Sequence, residues 1–275
     1  MGRSFPFFYV HGLPSHNNRV AVSLWVMMIS KTALKELAAY RQQRRCDEEG
    51  LFVVEGPKMA AEAMASGFGV RAVCATGEWL AAMGDRLPQG AACHEVSQSE
   101  LERLSNFKSP NQVWMLVERT TPTAWSDIRQ AALTLALDRL QDPGNLGTIM
   151  RTADWFGVRR IVCSHDTVGN YNPKAVQASM GAVFRTRVDY VDLPAWLGSC
   201  GLPVYGASLS GNPLSVYRFS PEAPAVLLIG NESQGIGSEA MACVTHAVLI
   251  PNTGGTAESL NASVAAGILM YAMIR

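Results

Sequence analysis

The sequence lacks almost everything that would mark a metal site, a disulfide frame or a strongly charged surface. Its six cysteines, Cys46, Cys74, Cys93, Cys163, Cys200 and Cys243, stand singly, and no two have C-x-x-C spacing. Zinc and dithiol signatures are therefore excluded, and reduced thiols in a cytoplasmic protein are the default reading. No structural metal is expected. Lys+Arg 23 balance Asp+Glu 23, a formal net charge of +0. Neither half of the chain is basic, which weighs against broad phosphate neutralisation but leaves room for a local patch. No G-x-G-x-x-G turn follows an expected strand, so the dinucleotide fingerprint is missing. The apolar run at residues 20–29 is too short to span a bilayer. It runs straight into Ser30-Lys31-Thr32, a helix cap and not a signal-peptide cleavage site. What is present is an ordinary globular balance, 48% hydrophobic and 17% charged over 275 residues. That is enough for two small domains or one large one.

Residues 1–27 differ in composition from the rest of the chain and read as a dispensable tail, or as a start placed upstream of the true one. Residues 28–119 alternate as a small α/β sandwich. A helix is expected over 31–43, ringed by Lys31, Lys35, Arg41, Arg44 and Arg45. Strands are expected at 51–54, 71–75, 92–96 and 112–118, with a helix opened by Pro57 and a capping box at Ser97 and Glu100. Residues 120–130 read as a linker. From 131 to 275, strands at 133–137, 161–163, 186–191, 204–207, 226–229 and 247–250 alternate with helices. That order implies a parallel sheet covered on both faces. Asn145 is expected to cap a helix over 146–156 that Gly157 ends.

The last stretch, residues 250–275, organises the rest. A Gly-rich turn leads into a helix that is apolar nearly all round, which must be buried on every side. Ala265, Ile268, Leu269, Ala272 and Met273 are too many for one sheet face, so a homodimer through this helix is expected. Glu258, Ser259 and Asn261 are expected in its first turn, among backbone donors that have no helical partner. The bland alternative is a core helix with an ordinary cap. In the helix after 145, Gly147 lies four residues before Arg151 and shares its face. Side chains lean toward a helix N-terminus, so Arg151 can lie back over a residue without bulk, toward the sheet edge where ligands bind. A plain surface arginine is the competing reading. For Arg41, Arg44 and Arg45, a solvated helix end competes evenly with contact to a phosphate-bearing partner.

Three stretches shift that balance: DPGNLGTIMR at 142–151, LIGNESQG at 228–235 and IPNTGGTAESLNASVA at 250–265. In order and spacing they resemble the N-x-G-x-x-x-R, hydrophobic-G-x-E and I-P…S-L-N-x-S-V-A motifs of the SpoU (TrmH-type) RNA ribose 2′-O-methyltransferases of the SPOUT superfamily. The stretch EEGLFVVEGPK at 48–58 is similar to the substrate-binding domain that often precedes them, itself similar to RNA-binding ribosomal proteins. One departure is that the segment between Pro251 and Ser259 is one residue longer than in the commonest family form. The resemblance implies an α/β protein whose C-terminal SPOUT domain has a parallel sheet and a deep trefoil knot. It implies S-adenosyl-L-methionine as methyl donor and RNA, foremost ribosomal RNA, as acceptor. Transfer RNA, or a non-catalytic assembly role on the same fold, are the alternatives. In such a site Arg151 would activate the ribose hydroxyl, Asn145 and Glu232 would orient it, and Ser259 and Asn261 would be the third motif's polar pair. Leu209, Gly230, Ile250 and Leu260 would surround the adenosine, and Arg41, Arg44, Arg45 and Lys58 would face RNA. Arginine stays protonated to about pH 12 and is a poor base, so its expected role is to hold a phosphate and stabilise a developing alkoxide.

Overall fold

The computed structural model describes residues 26–120, 131–220 and 223–275. The first unit runs β1 (Val26–Met28), α1 (Lys31–Ala38), α2 (Gln43–Glu49), β2 (Leu51–Glu55), α3 (Pro57–Ala65), β3 (Val70–Ala75), α4 (Gly77–Met83), β4 (Ala92–Glu95), α5 (Gln98–Leu104) and β5 (Val113–Glu118). Its sheet has the order β1-β4-β3-β5-β2, with β5 antiparallel to both of its neighbours. Strand β2 is buried at every position, as its unbroken apolar run requires. Leu34, Cys46, Leu101 and Leu104 cover one face of the sheet, and Met59, Ala63, Trp79 and Leu80 the other.

Two expectations for this unit need correction. Val26, Met27 and Met28 pair in parallel with Cys93, His94 and Glu95, so a boundary after residue 27 cuts through a strand. The remainder of the expected tail, residues 1–25, lies outside the described residues. The helix expected over 31–43 is in fact two helices. Ala39–Arg41 tightens to a 3₁₀ turn and Gln42 is extended (φ −85°, ψ 118°). Leu34 and Cys46 are both buried on the same side. At 3.6 residues per turn an unbroken helix would point them about 120° apart, and the break brings both to the core.

The second unit runs β6 (Leu133–Leu137), α6 (Pro143–Trp155), β7 (Arg160–Ser164), α7 (Pro173–Ser179), β8 (Arg187–Val191), α8 (Leu193–Ser199), β9 (Val204–Pro213), β10 (Ala225–Ile229), α9 (Ser238–Met241), β11 (His246–Leu249) and α10 (Ala262–Ile274). Its strands are all parallel, in the order β11-β9-β10-β6-β7-β8. The chain builds outward from β6 to β8 and then crosses to β9 and β10 on the other side. The strand order thus reverses between β6 and β10, where open α/β sheets leave a crevice at their carboxyl edge. Helices α6, α7 and α10 pack on one face, and α8 and α9 on the other. Strand β9 is longer than its expected 204–207. Gly206 pairs with Ala247 and Asn212 with Val248, so residues 207–211 leave the ladder as a wide bulge. Gly211 is needed where the bulge returns, because a Cβ there would lie 2.5 Å from the Ala247 carbonyl carbon.

The two units share a core. Phe52 packs on Tyr171 (4.6 Å between ring centres) and Phe68 edge-on against Phe184 (5.2 Å). Arg119 lies over the Tyr171 ring, and Arg185 pairs with both Glu62 of α3 and Asp154 of α6. Of the expected linker, residues 121–130 lie outside the described residues.

Candidate active site

Helix α6 begins one turn earlier than expected. Asp142 is its N-cap, with Oδ1 accepting from the Asn145 N–H at 2.7 Å, and Pro143 takes the first helical position. Asn145 is therefore inside the first turn and not the cap, which frees its amide for long-range bonds. Its Nδ2 donates to Glu232 Oε1 at 3.0 Å, and its Oδ1 accepts from Asn261 Nδ2 at 3.0 Å. Glu232 also accepts the backbone N–H groups of Asp142 (3.3 Å) and Gln141 (3.4 Å). Partial burial raises the Glu232 pKa, but the bonds from Asn145 and from the backbones of Glu232, Asp142 and Gln141 outweigh it. They hold the carboxyl below its ordinary value, so it is ionised at neutral pH. Asn261 is the N-cap of α10, its Oδ1 accepting from the N–H groups of Ser263 (2.9 Å) and Val264 (3.4 Å). Glu232, Asn145 and Asn261 thus form one hydrogen-bonded line, with one residue from each motif.

Arg151 is exposed on α6 and makes no hydrogen bond or ion pair with a described residue. The expected orienting contacts from Asn145 and Glu232 are not made; those two bond to each other. Gly147 serves a purpose other than clearing Arg151. A Cβ there would lie 2.4 Å from the Ala175 carbonyl oxygen, so the glycine lets α6 and α7 touch. Glu258 and Ser259 precede α10 and do not form its first turn. The reason is Asn252, whose Oδ1 accepts from Gly254 N (2.9 Å) and Gly255 N (2.8 Å) while its Nδ2 donates to Gly255 O. That turn, with Gly254 at φ 114°, holds residues 252–255 out of the helix, and α10 starts only after Asn261, which is its N-cap.

The four residues expected around adenosine lie past or near the carboxyl ends of β9, β10 and β11. Leu209 stands on the β9 bulge, 72% exposed, and Leu260 precedes α10, 48% exposed. Gly230 and Ile250 directly follow β10 and β11. Gly230 admits no side chain, since a Cβ would lie 2.2 Å from the Gly235 carbonyl carbon. A separate cleft of about 370 Å³ opens on the α8/α9 side, lined by Asp138, Arg139, His165, Asp192 and Glu239 among others. In the first unit, Arg44 is paired with Glu48 and Arg45 with Glu49, whereas Arg41 and Lys58 form no salt bridge with a described residue. Among the described residues no group of His, Cys, Asp and Glu is placed to hold a metal ion, and no helix is long and apolar enough to cross a membrane.

Three contributors to this geometry were not anticipated: Asp142, Asn252 and Arg139. Asp-Pro at a helix start is itself a capping signal and identifies Asp142. Asn two residues before Gly-Gly is an Asx-turn signal and identifies Asn252. Arg139 has no local signature, because its partners, Asn231, Gln234 and Gly235, are distant in sequence.

Comparison with known proteins identifies the family. The SpoU rRNA methylase family model matches residues 132–271, and an MRM3-like substrate-binding domain model matches 31–114. A 23S rRNA (guanosine(2553)-2′-O)-methyltransferase of Bacillus subtilis is 29% identical over 225 residues, covering 80% of this chain and 87% of its own. A TrmH-family protein from Porphyromonas gingivalis superposes with TM-score 0.80 at 34% identity, covering 90% of this chain and 98% of that one. An AdoMet-bound rRNA methyltransferase from Sinorhizobium meliloti superposes with TM-score 0.77 at 27% identity over 90% and 96%. With its polar line drawn from all three motifs and more than half its length matched, this chain belongs to the SpoU methylase family.

Proposed function

We propose that this protein transfers a methyl group from S-adenosyl-L-methionine to a ribose 2′-hydroxyl in RNA, with ribosomal RNA as the substrate. The observation that carries this reading is the Glu232–Asn145–Asn261 line, which draws one side chain from each motif to the sheet's carboxyl edge. Bound there, the donor supplies an electrophilic methyl carbon on a sulfonium sulfur. The fit rests on two exposed apolar side chains, Leu209 and Leu260, beside strand ends at Gly230 and Ile250 whose backbone can meet an adenine edge. In this reading the segment from β9 to α10 forms the trefoil knot of the SPOUT fold.

Arg151, with no partner among the described residues, can take an RNA phosphate and stabilise negative charge growing on the 2′-oxygen. Asn145 and Asn261 fix the mouth of α10, and Ser259 beside them offers a hydroxyl to the substrate. Of the four basic residues expected to face RNA, Arg41 and Lys58 are in no salt bridge with a described residue and are available to phosphate. Arg44 and Arg45 must first exchange Glu48 and Glu49, at the low cost typical of exposed pairs.

The active form in this reading is a homodimer. Val264, Ile268 and Tyr271 are exposed along α10, and Trp155 on α6 is 84% exposed. Tyr271 lies 6.2 Å from Phe156, so α10 meets the end of α6, and Arg151 and Trp155, four residues apart, are both exposed on α6. Leu269 and Met273, expected in that interface, are instead covered by the chain's own core.

The test is to map 2′-O-methyl sites in total RNA from cells with and without the gene, and to restore the missing site with purified protein and donor. Loss of one ribosomal position, recovered in vitro, supports the reading. A lost transfer-RNA site would replace the substrate, and an unchanged map would remove the activity.

A further inference from the structure

Arg139 adopts φ +55°, a left-handed conformation that is uncommon and strained for a residue with a long side chain. That turn aims its backbone and its side chain at one target, the loop after β10. Its carbonyl accepts from Asn231 Nδ2 at 2.8 Å. Its guanidinium donates from Nη1 to Gln234 Oε1 (3.1 Å) and from Nη2 to the Gly235 carbonyl (3.5 Å). Asp138, buried beside it, accepts from the Gly237 N–H at 2.7 Å and from Arg139 Nε at 3.4 Å. Arg139's own N–H is satisfied by Ser164 Oγ at 2.8 Å, which ties the turn to β7.

The same loop is gripped at its other side by α6. Glu232 accepts from Gln141, Asp142 and Asn145, all on the segment that Arg139 begins. The β6–α6 connection therefore clamps residues 231–237 from two sides. Without the outer clamp, the inner one alone would have to hold Glu232 and, next to it, Gly230.

We propose that Arg139 is a positioning residue for methyl transfer, holding in place the loop that carries Glu232 and Gly230. This rests on the methyltransferase reading, but the loop's anchoring can be measured without it. Asparagine tolerates the left-handed backbone, so Arg139→Asn removes the guanidinium without adding strain. Arg139→Lys keeps the charge but cannot reach two acceptors as a fork.

The experiment pairs amide hydrogen exchange with a double-mutant cycle. In Arg139→Asn the amides of Asn231, Gly235 and Gly237 should exchange about tenfold faster, while those of β6 and β7 stay protected. Its kcat should fall about tenfold with RNA KM within about twofold of wild type, and Arg139→Lys should lie nearer to it than to wild type. In a Glu232→Gln background the same substitution should lower kcat by less than about twofold, because residues acting as a unit are not additive. Equal losses in both backgrounds would overturn the proposal, and so would unchanged exchange across 231–237. Should the wild-type protein prove inactive on RNA, the methyltransferase reading falls, and the exchange arm still decides whether Arg139 anchors the loop.

Discussion

Asn261 Nδ2 donates to Asn145 Oδ1 at 3.0 Å, joining the cap of the last helix to the first turn of a helix 116 residues earlier. The same Asn261 carboxamide oxygen caps α10, so one side chain does two separable things. Asn261→Ala removes both and should cost about 1 kcal/mol in stability through the lost cap. Asn261→Ser restores a capping acceptor but cannot reach Asn145 as an amide donor. Its unfolding midpoint should stay near wild type while methyl transfer falls. Full activity in Asn261→Ser would separate the bridge from function.

Gly147 supplies a prediction about packing alone. The nearest atom to an added Cβ is backbone, the Ala175 carbonyl oxygen at 2.4 Å, and backbone cannot rotate away. Gly147→Ala should push α6 off α7 and destabilise by about 1–3 kcal/mol, the range for overpacked sites. In a chain of this size that lowers the melting temperature by roughly 2–4 °C per kcal/mol. A variant melting at or above wild type would mean that the helices have slack.

Much of this architecture can be read from the residues alone, for identifiable reasons. Strands β2, β6 and β10 are buried at every position, so unbroken apolar runs such as 133–137 announce them. Motif spacing likewise marks Asn145, Glu232 and Asn261 as a set. What escapes is anything decided by a partner distant in sequence. Asn145 looks like a helix cap from its neighbours, and only the positions of Glu232 and Asn261 show where its amide goes. The helix break at Gln42 answers to the sheet beneath it, and the β9 bulge to β11. Arg139 is hidden for the same reason, since its loop arrives more than ninety residues later.

Glu55 makes stability depend on pH in the direction opposite to most carboxylates. It is 5% exposed, and burial raises its pKa, an effect only partly offset by bonds from the Ser105 hydroxyl and the Asn106 N–H and by Arg41. The folded state thus binds the proton more tightly than the unfolded state, for which the ordinary glutamate value is about 4.3. This group's contribution is fully present below that value and is lost as pH rises through the raised folded value. Glu55→Gln keeps an acceptor for Asn106 without the charge. Its stability relative to wild type should be higher at pH 7 than at pH 4, read by urea unfolding at both. A difference that does not change with pH would contradict the buried-carboxylate argument.

The apolar face of α10 predicts a concentration-dependent assembly. Placing a charge at Ile268, which is 37% exposed between Val264 and Tyr271, should block burial of that face without opening the core. Ile268→Asp is expected to be monomeric by light scattering, soluble, and poorly active if the partner completes the site. A wild-type monomer at micromolar concentration would sink the dimer outright.

Arg151 bears on the chemistry most directly. It is exposed, unpartnered among the described residues and set on the helix that Asn145 anchors. If it stabilises charge that appears only in the transition state, its loss lowers turnover and leaves ground-state binding alone. Removing one such donor typically lowers the rate about a hundredfold or more. Arg151→Ala removes no hydrogen bond or ion pair to a described residue, so it should fold with an unchanged melting temperature. It should bind S-adenosyl-L-methionine within a few-fold of wild type and transfer almost no methyl to RNA. Arg151→Lys should recover little, because an ammonium cannot reproduce a two-pronged contact to phosphate. Calorimetry of donor binding and single-turnover methylation distinguish this pattern from that of Asn261→Ala, where the disturbed α10 mouth should weaken donor binding as well. An Arg151→Ala enzyme turning over at near wild-type rate would take this arginine out of the reaction and leave the Glu232–Asn145–Asn261 line as the remaining candidate site.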